Sequence, residues 1–375
     1  MAAKKYEHVK EILRKRIRAD YRVGSKIPST MVLHKKLGVS PQTVNRAIRD
    51  LTDEGILERR AGVGTFVTRP QSSTRDIALG WGEASEILTQ NPYCARILHA
   101  VQTEAGSRDR QLLVATNVHR AEPPFLARGR EVAGIILLLN HDVRLVDAYL
   151  ERGTPVVLVD PYVRVAGVPF VTNDHFSGMR QATAHLVALG HRRIVHATAN
   201  LPWYALILEE RILGYESAMR EAGLEEMCLV YRSCPIAEDP ETSKAFVEML
   251  DSVQPTACCC ANDDMAAFAI GICHDHGIRV PEDLSVAGYD DSGVAAHLRP
   301  SLTTVHVPLE EIGRTAVRIL DRLIEEHQLT GTGTIYPVSL VERGSTRRLS
   351  SLASQRASTK RTSADEPGGE NLPSS

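Results

Sequence analysis

Apolar positions along the first seventy residues recur with the spacing of helices. Val9, Ile12, Leu13 and Ile17 fall three or four apart and predict a helix over 6–19. Leu33 and Leu37 share one face of a second helix, which follows Ser29 in the N-cap position and ends at Gly38. Ser40 is placed to cap a third. Pro41 takes its first position, where a missing N–H costs nothing, and Val44, Ala47, Ile48 and Leu51 form its buried stripe as far as Gly55. Two helices joined by Gly38 and Val39 alone read as a helix-turn-helix. The period then changes to that of strands. Residues 56–59 and 65–68 are short β-like runs about a Gly62-Val63-Gly64 turn, which is the shape of a wing.

Periodicity lapses across Arg69-Pro70-Gln71-Ser72-Ser73-Thr74-Arg75, a polar stretch that reads as a linker. From Asp76 onward short apolar runs at 77–80, 112–115, 134–139, 156–159, 170–172, 194–197, 257–261 and 285–289 alternate with helix-length segments. Such βα alternation predicts parallel, doubly wound sheets, and a span of about 270 residues is long enough for two α/β lobes. After Leu349 the chain is rich in Ser, Thr, Pro and Gly without apolar pattern, so 349–375 is expected to be a disordered tail.

Charge divides the molecule the same way. Residues 1–70 hold 16 Lys and Arg against 7 Asp and Glu, a net +9, whereas the remainder holds 28 against 39, a net −11. The two parts have different partners. The longest apolar run, 133–139, is far short of the about 18 residues that span a bilayer, and the N-terminus lacks an apolar signal core; a cytoplasmic chain is expected. Cys258, Cys259 and Cys260 are consecutive inside an apolar run, a spacing of a buried strand rather than of a disulfide framework or a zinc site. No metal and no cofactor are expected.

A recognition helix needs polar and bidentate side chains at its N-terminal end, which meets base edges in the major groove. Gln42, Thr43, Asn45 and Arg46 stand there, opposite the apolar stripe. Arg49, Arg59 and Arg60 are placed to neutralise phosphates, and the glycines of the wing allow its backbone a close approach to the minor groove. A solvated helix face is the plain alternative for any one of these cations. Together, the +9 charge, the capped helices and the glycine wing favour DNA.

The run Ile27-Pro28-Ser29, Leu37-Gly38-Val39-Ser40, Thr43-Val44, Glu54-Gly55-Ile56-Leu57 and Arg59-Arg60-Ala61-Gly62-Val63-Gly64-Thr65-Phe66-Val67 resembles the GntR-type winged-helix domain over its whole length, 1–69. With Ser29, Thr30, Ser40, Gly62 and Gly64 added to the residues above, the resemblance implies the candidate DNA-contact set. Thr30 stands where the family usually has an acidic residue, and Pro41 and Asn45 stand where it has arginines. The DNA-binding role is therefore implied and the operator sequence is not.

In open α/β sheets ligands bind beyond the carboxyl ends of the strands. The residues there are Trp81, Gly82, Asn140, Asp160, Asn173, Asp174, 200–204 with Trp203 and Tyr204, Asn262, Asp263, Asp290 and Asp291. Aromatic plates beside carboxylates and amides suit a polyhydroxylated ring: the plates cover its C–H faces while Asp and Asn meet its hydroxyls. The same Asp and Asn residues are also plain helix caps. Val171-Thr172-Asn173-Asp174, Leu189-Gly190-His191-Arg192-Arg193-Ile194, Arg211-Ile212-Leu213-Gly214-Tyr215, Ala261-Asn262-Asp263-Asp264-Met265-Ala266 and Val280-Pro281-Glu282-Asp283-Leu284-Ser285-Val286-Ala287-Gly288-Tyr289-Asp290-Asp291 resemble the LacI/GalR-type regulatory domain. The resemblance spans 76–348 and implies a periplasmic-binding-protein type I fold. Its expected lobes are about 76–174 with 304–332 and 175–303 with 333–348. It implies effector contacts from Arg211, Asn262, Asp290 and Asp160; Trp81, Trp203 and Tyr204 are added here as stacking plates.

Enzyme readings find little support. Gly80-Trp81-Gly82-Glu83-Ala84-Ser85 lacks the third glycine of a dinucleotide loop, no Gly-x-Ser-x-Gly elbow is present, and His274-Asp275-His276 has no further ligands nearby in sequence. The GntR-type and LacI-type pairing resembles the arabinose-repressor branch of transcription regulators. The reading is a cytoplasmic homodimeric repressor of pseudo-palindromic operators, with a sugar-like effector bound between the two lobes. The alternative is a sensor whose cleft takes a non-sugar metabolite or a partner protein, or has become an enzyme site. The apolar stripe Ile312, Ala316, Ile319, Leu320 and Leu323 of a helix over 310–326 suits either the dimer contact or packing on its own lobe.

Overall fold

The apolar stripes of the basic segment converge on one small core. In the computed structural model, which describes residues 6, 9–14, 16, 17, 21, 24–68, 74–81, 91–115, 131–140, 142–199, 205–233, 240–326 and 332–349, Tyr6, Val9, Leu13 and Ile17 are helical and pack with Ile27, Leu33, Val44, Ala47, Ile48, Leu51, Ile56, Leu57 and Val67. Helix α1 (Thr30–Leu37) ends at Gly38, whose φ of 64° lets its N–H return to the His34 carbonyl at 3.0 Å. Ser29 holds the N-cap position without a side-chain capping bond. Helix α2 (Pro41–Asp53) is capped as expected, Ser40 Oγ accepting from the Thr43 N–H at 3.2 Å. Each fully buried Val, Ile or Leu of the stripe contributes about 1.5–3 kcal/mol, so the stripe outweighs the modest helix propensity of a segment with β-branched residues.

Strands β1 (Leu57–Arg60) and β2 (Gly64–Val67) pair antiparallel, Leu57 opposite Val67 and Arg60 opposite Gly64. Gly64 has a φ of 142°, and a Cβ there would lie 2.4 Å from Lys26 Cε, so no other residue fits without moving that side chain.

The chain divides into two compact units, Met1–Asn173 with Pro308–Tyr336, and Asp174–Val307 with Pro337–Ser375. Besides the winged helix, the first contains β3 (Ile77–Trp81), α3 (Pro92–Ser107), β4 (Leu112–Ala115), β5 (Gly134–Leu138), α4 (Val143–Leu150), β6 (Val156–Val159) and β7 (Phe170–Asn173). The second runs through α5 (His175–Ala188), β8 (Ile194–Ala199), α6 (Ala205–Glu221), β9 (Leu229–Ser233), α7 (Pro240–Val253), β10 (Ala257–Cys260), α8 (Asp263–Asp275), β11 (Ser285–Asp290) and β12 (Thr303–His306). Then α9 (Leu309–Glu326) and β13 (Gly333–Tyr336) return to the first unit, and β14 (Ser339–Val341) ends in the second. The first unit's sheet has the order β13-β7-β6-β5-β3-β4 and is parallel throughout. The second unit's sheet, β14-β12-β11-β10-β8-β9, is parallel except where β14 runs against β12.

Two expectations are corrected. Residues 304–306, assigned to the first lobe, extend β12 beside β11, with Thr304 opposite Gly288; residues 333–336, assigned to the second, form β13 beside β7, with Thr334 opposite Val171. Each short strand is claimed by the parallel neighbour whose register it completes. The stripe Ile312, Ala316, Ile319, Leu320 and Leu323 is buried within the first unit, where α9 packs on α3. A charge clamp closes that helix pair: Arg108 and Arg110 donate to Asp321 at 2.8 and 2.5 Å, and Arg318 to Glu104 at 2.9 Å. The stripe is core, not a free dimer face. Cys258, Cys259 and Cys260 lie in buried β10 as predicted. Residues 69–73 of the linker, Trp203, Tyr204 and the tail from 350 onward lie outside the described residues.

Candidate nucleic-acid interface and effector rim

Between Tyr21 and Arg49 there is no acidic residue, so the N-terminal end of α2 carries only polar and basic side chains. Of the acids that follow, Asp50 and Glu54 are met by cations of the first helical segment. Glu54 receives Lys10 at 2.5 Å and Arg14 at 2.6 Å, and although burial works against its charge, these donors hold its carboxyl below the usual range. Gln42, Arg46 and Arg49 project from α2 into solvent. The Arg46 guanidinium rests 4.4 Å above the Tyr6 ring, a cation–π contact that ties the recognition helix to the first helical segment. Ser40 and Thr43 spend their hydroxyls on each other at 2.9 Å.

Asn45 is a junction. Its Oδ1 accepts from Thr30 Oγ1 at 3.0 Å and from an Arg59 NH2 group at 3.0 Å, joining α1, α2 and β1. Arg60 turns elsewhere: it donates to Glu58 at 3.2 and 3.0 Å and lies 4.7 Å over Phe66. Gly62, with a φ of 70°, stands at the exposed tip of the wing.

In the second unit, the carboxyl ends of β10 and β11 bring Arg211, Asn262 and Asp290 together around residues that pattern alone did not single out. Arg211 is only 6% exposed. Its guanidinium lies 3.8 Å over the Tyr289 ring and donates to Asp290 Oδ1 at 3.4 Å, to His175 Nδ1 at 3.3 Å and to the Ala261 carbonyl. His175 therefore accepts through Nδ1 and carries its proton on Nε2. Asn262 caps α8, its Oδ1 accepting from the Met265 N–H at 2.8 Å, which leaves Nδ2 as the group it can offer outward. The cap alternative thus holds for its oxygen only.

Asp290 and Asp291 have φ of 108° and 50°, left-handed positions held by their surroundings. Asp291 accepts from Arg343 at 2.6 Å and His306 at 2.9 Å. Asp263 accepts from the Ser292 N–H at 2.7 Å and Thr304 Oγ1 at 2.5 Å, and burial pushes its carboxyl up to about 6.

In the first unit, Asp160 ends β6 with a φ of 42° and is buried, accepting from Thr172 Oγ1 at 2.5 Å and from the Tyr93 hydroxyl. Trp81 ends β3; its ring is 1% exposed and its indole N–H has no acceptor among the described residues. Asn140 turns back on its own loop, donating to the Asp142 carbonyl at 3.1 Å. His175, Tyr289 and Tyr93 were missed by sequence reasoning. Tyr289 had a signal, since it immediately precedes Asp290 at the end of β11, whereas His175 and Tyr93 reach their partners only through the fold. Among the described residues no three His, Cys, Asp or Glu side chains are grouped to hold a metal, and no helix is long and apolar enough to cross a membrane.

Comparison with known proteins agrees with this division. Residues 5–67 match the model of bacterial regulatory proteins of the gntR family, and 183–346 match that of the periplasmic binding protein-like domain. The HTH-type transcriptional regulator CelR of Thermobifida fusca is 36% identical over 81% of this chain and 87% of its own. The chain belongs to the HTH-type transcriptional regulators. This regulator joins a GntR-type winged helix to a LacI-like sensor, as the motifs implied. The arabinose metabolism transcriptional repressor of Geobacillus stearothermophilus is 28% identical over 92% of the regulator and 98% of its own length. Among solved structures, a CelR–cellobiose complex superposes with a TM-score of 0.65 at 28% identity, over 85% of this chain and all of that one. The regulator thus acts on transcription through DNA.

Proposed function

We propose that the regulator is a cytoplasmic homodimeric repressor whose operator affinity is set by a neutral, sugar-like effector. The observation that carries the effector reading is the Arg211–Asp290 pair beside Asn262 at the carboxyl edge of the second sheet. The pair is net neutral. It offers a donor fork, an acceptor carboxylate and an amide donor, the set that vicinal hydroxyls require. The Tyr289 ring fixes the fork from beneath, so little side-chain entropy is lost on binding. A relative solved with cellobiose supports the sugar class.

For DNA, α2 is the recognition helix, with Gln42, Thr43, Asn45 and Arg46 toward base edges, Thr30 beside them, Arg49 and Arg60 toward phosphates and Gly62 at the wing tip. Ser29, Ser40 and Gly64 support the backbone there. Two-fold pairing of two such domains reads half-sites about one helical turn or a multiple of it apart. The repressor sign follows the relatives named as repressors. A thermal-shift screen of the purified protein with pentoses, hexoses, disaccharides, sugar phosphates and nucleosides tests the effector class. A ligand at about 100 times its Kd stabilises by about 2.7 kcal/mol. Hits confined to neutral sugars are expected; a response to sugar phosphates or nucleosides alone contradicts the proposal.

A further inference from the structure

We propose that Arg59 reads a guanine and that Asn45 is the residue positioning it, a reading that rests on the DNA-binding role of the winged helix. Strand geometry separates the two arginines of β1. Side chains alternate between faces, so Leu57 and Arg59 share one face while Glu58 and Arg60 share the other. Leu57 is buried in the core against α2, and Arg59 continues that row to its rim. Arg60 is folded onto Phe66 and held by Glu58 on the opposite face. Arg59 instead reaches across to α2, where one NH2 group donates to Asn45 Oδ1 at 3.0 Å.

Asn45 lies half-buried in the second turn of α2, on the flank of the stripe that holds Val44 and Ile48. An arginine tethered there travels with the recognition helix. It does not sweep the flank of the duplex as a free phosphate contact does. Its single bond to Asn45 leaves the rest of the planar fork exposed, and that fork matches the O6 and N7 acceptors of guanine.

The same geometry limits Asn45. A carbonyl oxygen has two lone pairs, and Oδ1 already accepts from Thr30 and Arg59. Bidentate adenine reading needs that oxygen free to accept from N6, so Asn45 cannot perform it while the junction is intact. Its Nδ2 remains a donor only. Thr30, Asn45 and Arg59 therefore act as one unit drawn from α1, α2 and β1, with the guanidinium as its reading head.

The test uses full-length protein and duplexes that the wild type enriches from a randomised library, with scrambled duplexes of equal composition as control. Arg59→Ala and Arg59→Lys should both lose about 10- to 100-fold affinity for enriched duplexes, change little on scrambled ones, and lose preference at one G·C pair. Asn45→Ala should relax the same base pair, and the double variant should be no weaker than Arg59→Ala, as expected of residues acting as one unit. Unchanged circular dichroism melting checks that the substitutions leave the fold intact. Uniform weakening by Arg59→Ala on both duplex sets, a salt slope reduced by about 1 and rescue by Arg59→Lys would assign Arg59 to a phosphate and overturn the proposal. Unaltered specificity in Asn45→Ala would remove its positioning role. Enrichment of no sequence by the wild type would instead refute the DNA-binding reading itself.

Discussion

The recognition face and the Arg211 rim are built on opposite plans. On the winged helix, the proposed reading groups Gln42, Arg46 and Arg59 stand in solvent on a core that is wholly apolar, each held by at most one or two contacts. At the rim, Arg211 is buried and fastened by a ring, a carboxylate, an imidazole and a carbonyl at once. A DNA surface gains from exposed donors, because phosphates and base edges come to it with their own charge and pattern. A small neutral ligand brings few contacts, so its receptor must fix them in advance. Damage to the rim should therefore appear as lost stability as well as lost response, whereas damage to the recognition face should appear as lost binding alone.

Arg211→Ala breaks that comparison most severely if it fails. Removing the guanidinium takes a buried donor from Asp290, from His175 and from the Ala261 carbonyl, which should cost about 3–5 kcal/mol in urea denaturation and abolish the effector response while operator binding is retained. Next is the pH dependence of Asp263. Its folded pKa of about 6 lies above that of an unfolded aspartate, about 3.9, so the folded state binds the proton more tightly. Its contribution to stability is full below the unfolded value and is lost, on the order of 3 kcal/mol, as pH rises through the folded one. Comparing wild type with Asp263→Asn across that window should show the wild-type decline flattened in the variant.

Smaller effects sharpen the other side. Arg46→Ala should weaken specific DNA binding by about 1–3 kcal/mol with effector affinity unchanged, measured by fluorescence anisotropy and calorimetry on one preparation. Ser40→Ala removes the cap of α2 and should cost about 1 kcal/mol of winged-helix stability, with DNA affinity following only as far as the helix frays.

Sequence made the winged helix legible almost residue by residue, because its signals are local: a Ser-Pro start, a glycine stop and an apolar stripe at helical spacing. Eight strands of the large domain were readable for the same reason, as apolar runs, most of them buried on both faces, with β4 a half-exposed edge strand. Strands β9, β12, β13 and β14 were not. They are short and mixed in polarity, as in Leu229–Ser233, and only their neighbours' hydrogen bonds make them strands. That also moved the lobe boundaries at β12 and β13. At the rim the motif residues were visible, but their supports were not: His175 meets Arg211 across 36 positions and Tyr93 meets Asp160 across 67, distances over which sequence carries no pattern. The junction at Asn45 is the same lesson at short range, since nothing in Thr30, Asn45 and Arg59 announces that one oxygen serves both partners.

The most direct test of the account is the affinity of full-length protein for its enriched duplex, titrated with and without each neutral sugar that stabilises it. The account predicts that such a sugar shifts the dissociation constant about 5- to 150-fold, the range of a coupling free energy of about 1–3 kcal/mol. It also predicts that Arg211→Ala removes the shift while leaving the sugar-free affinity in place. A stabilising sugar that leaves DNA affinity unchanged would contradict it.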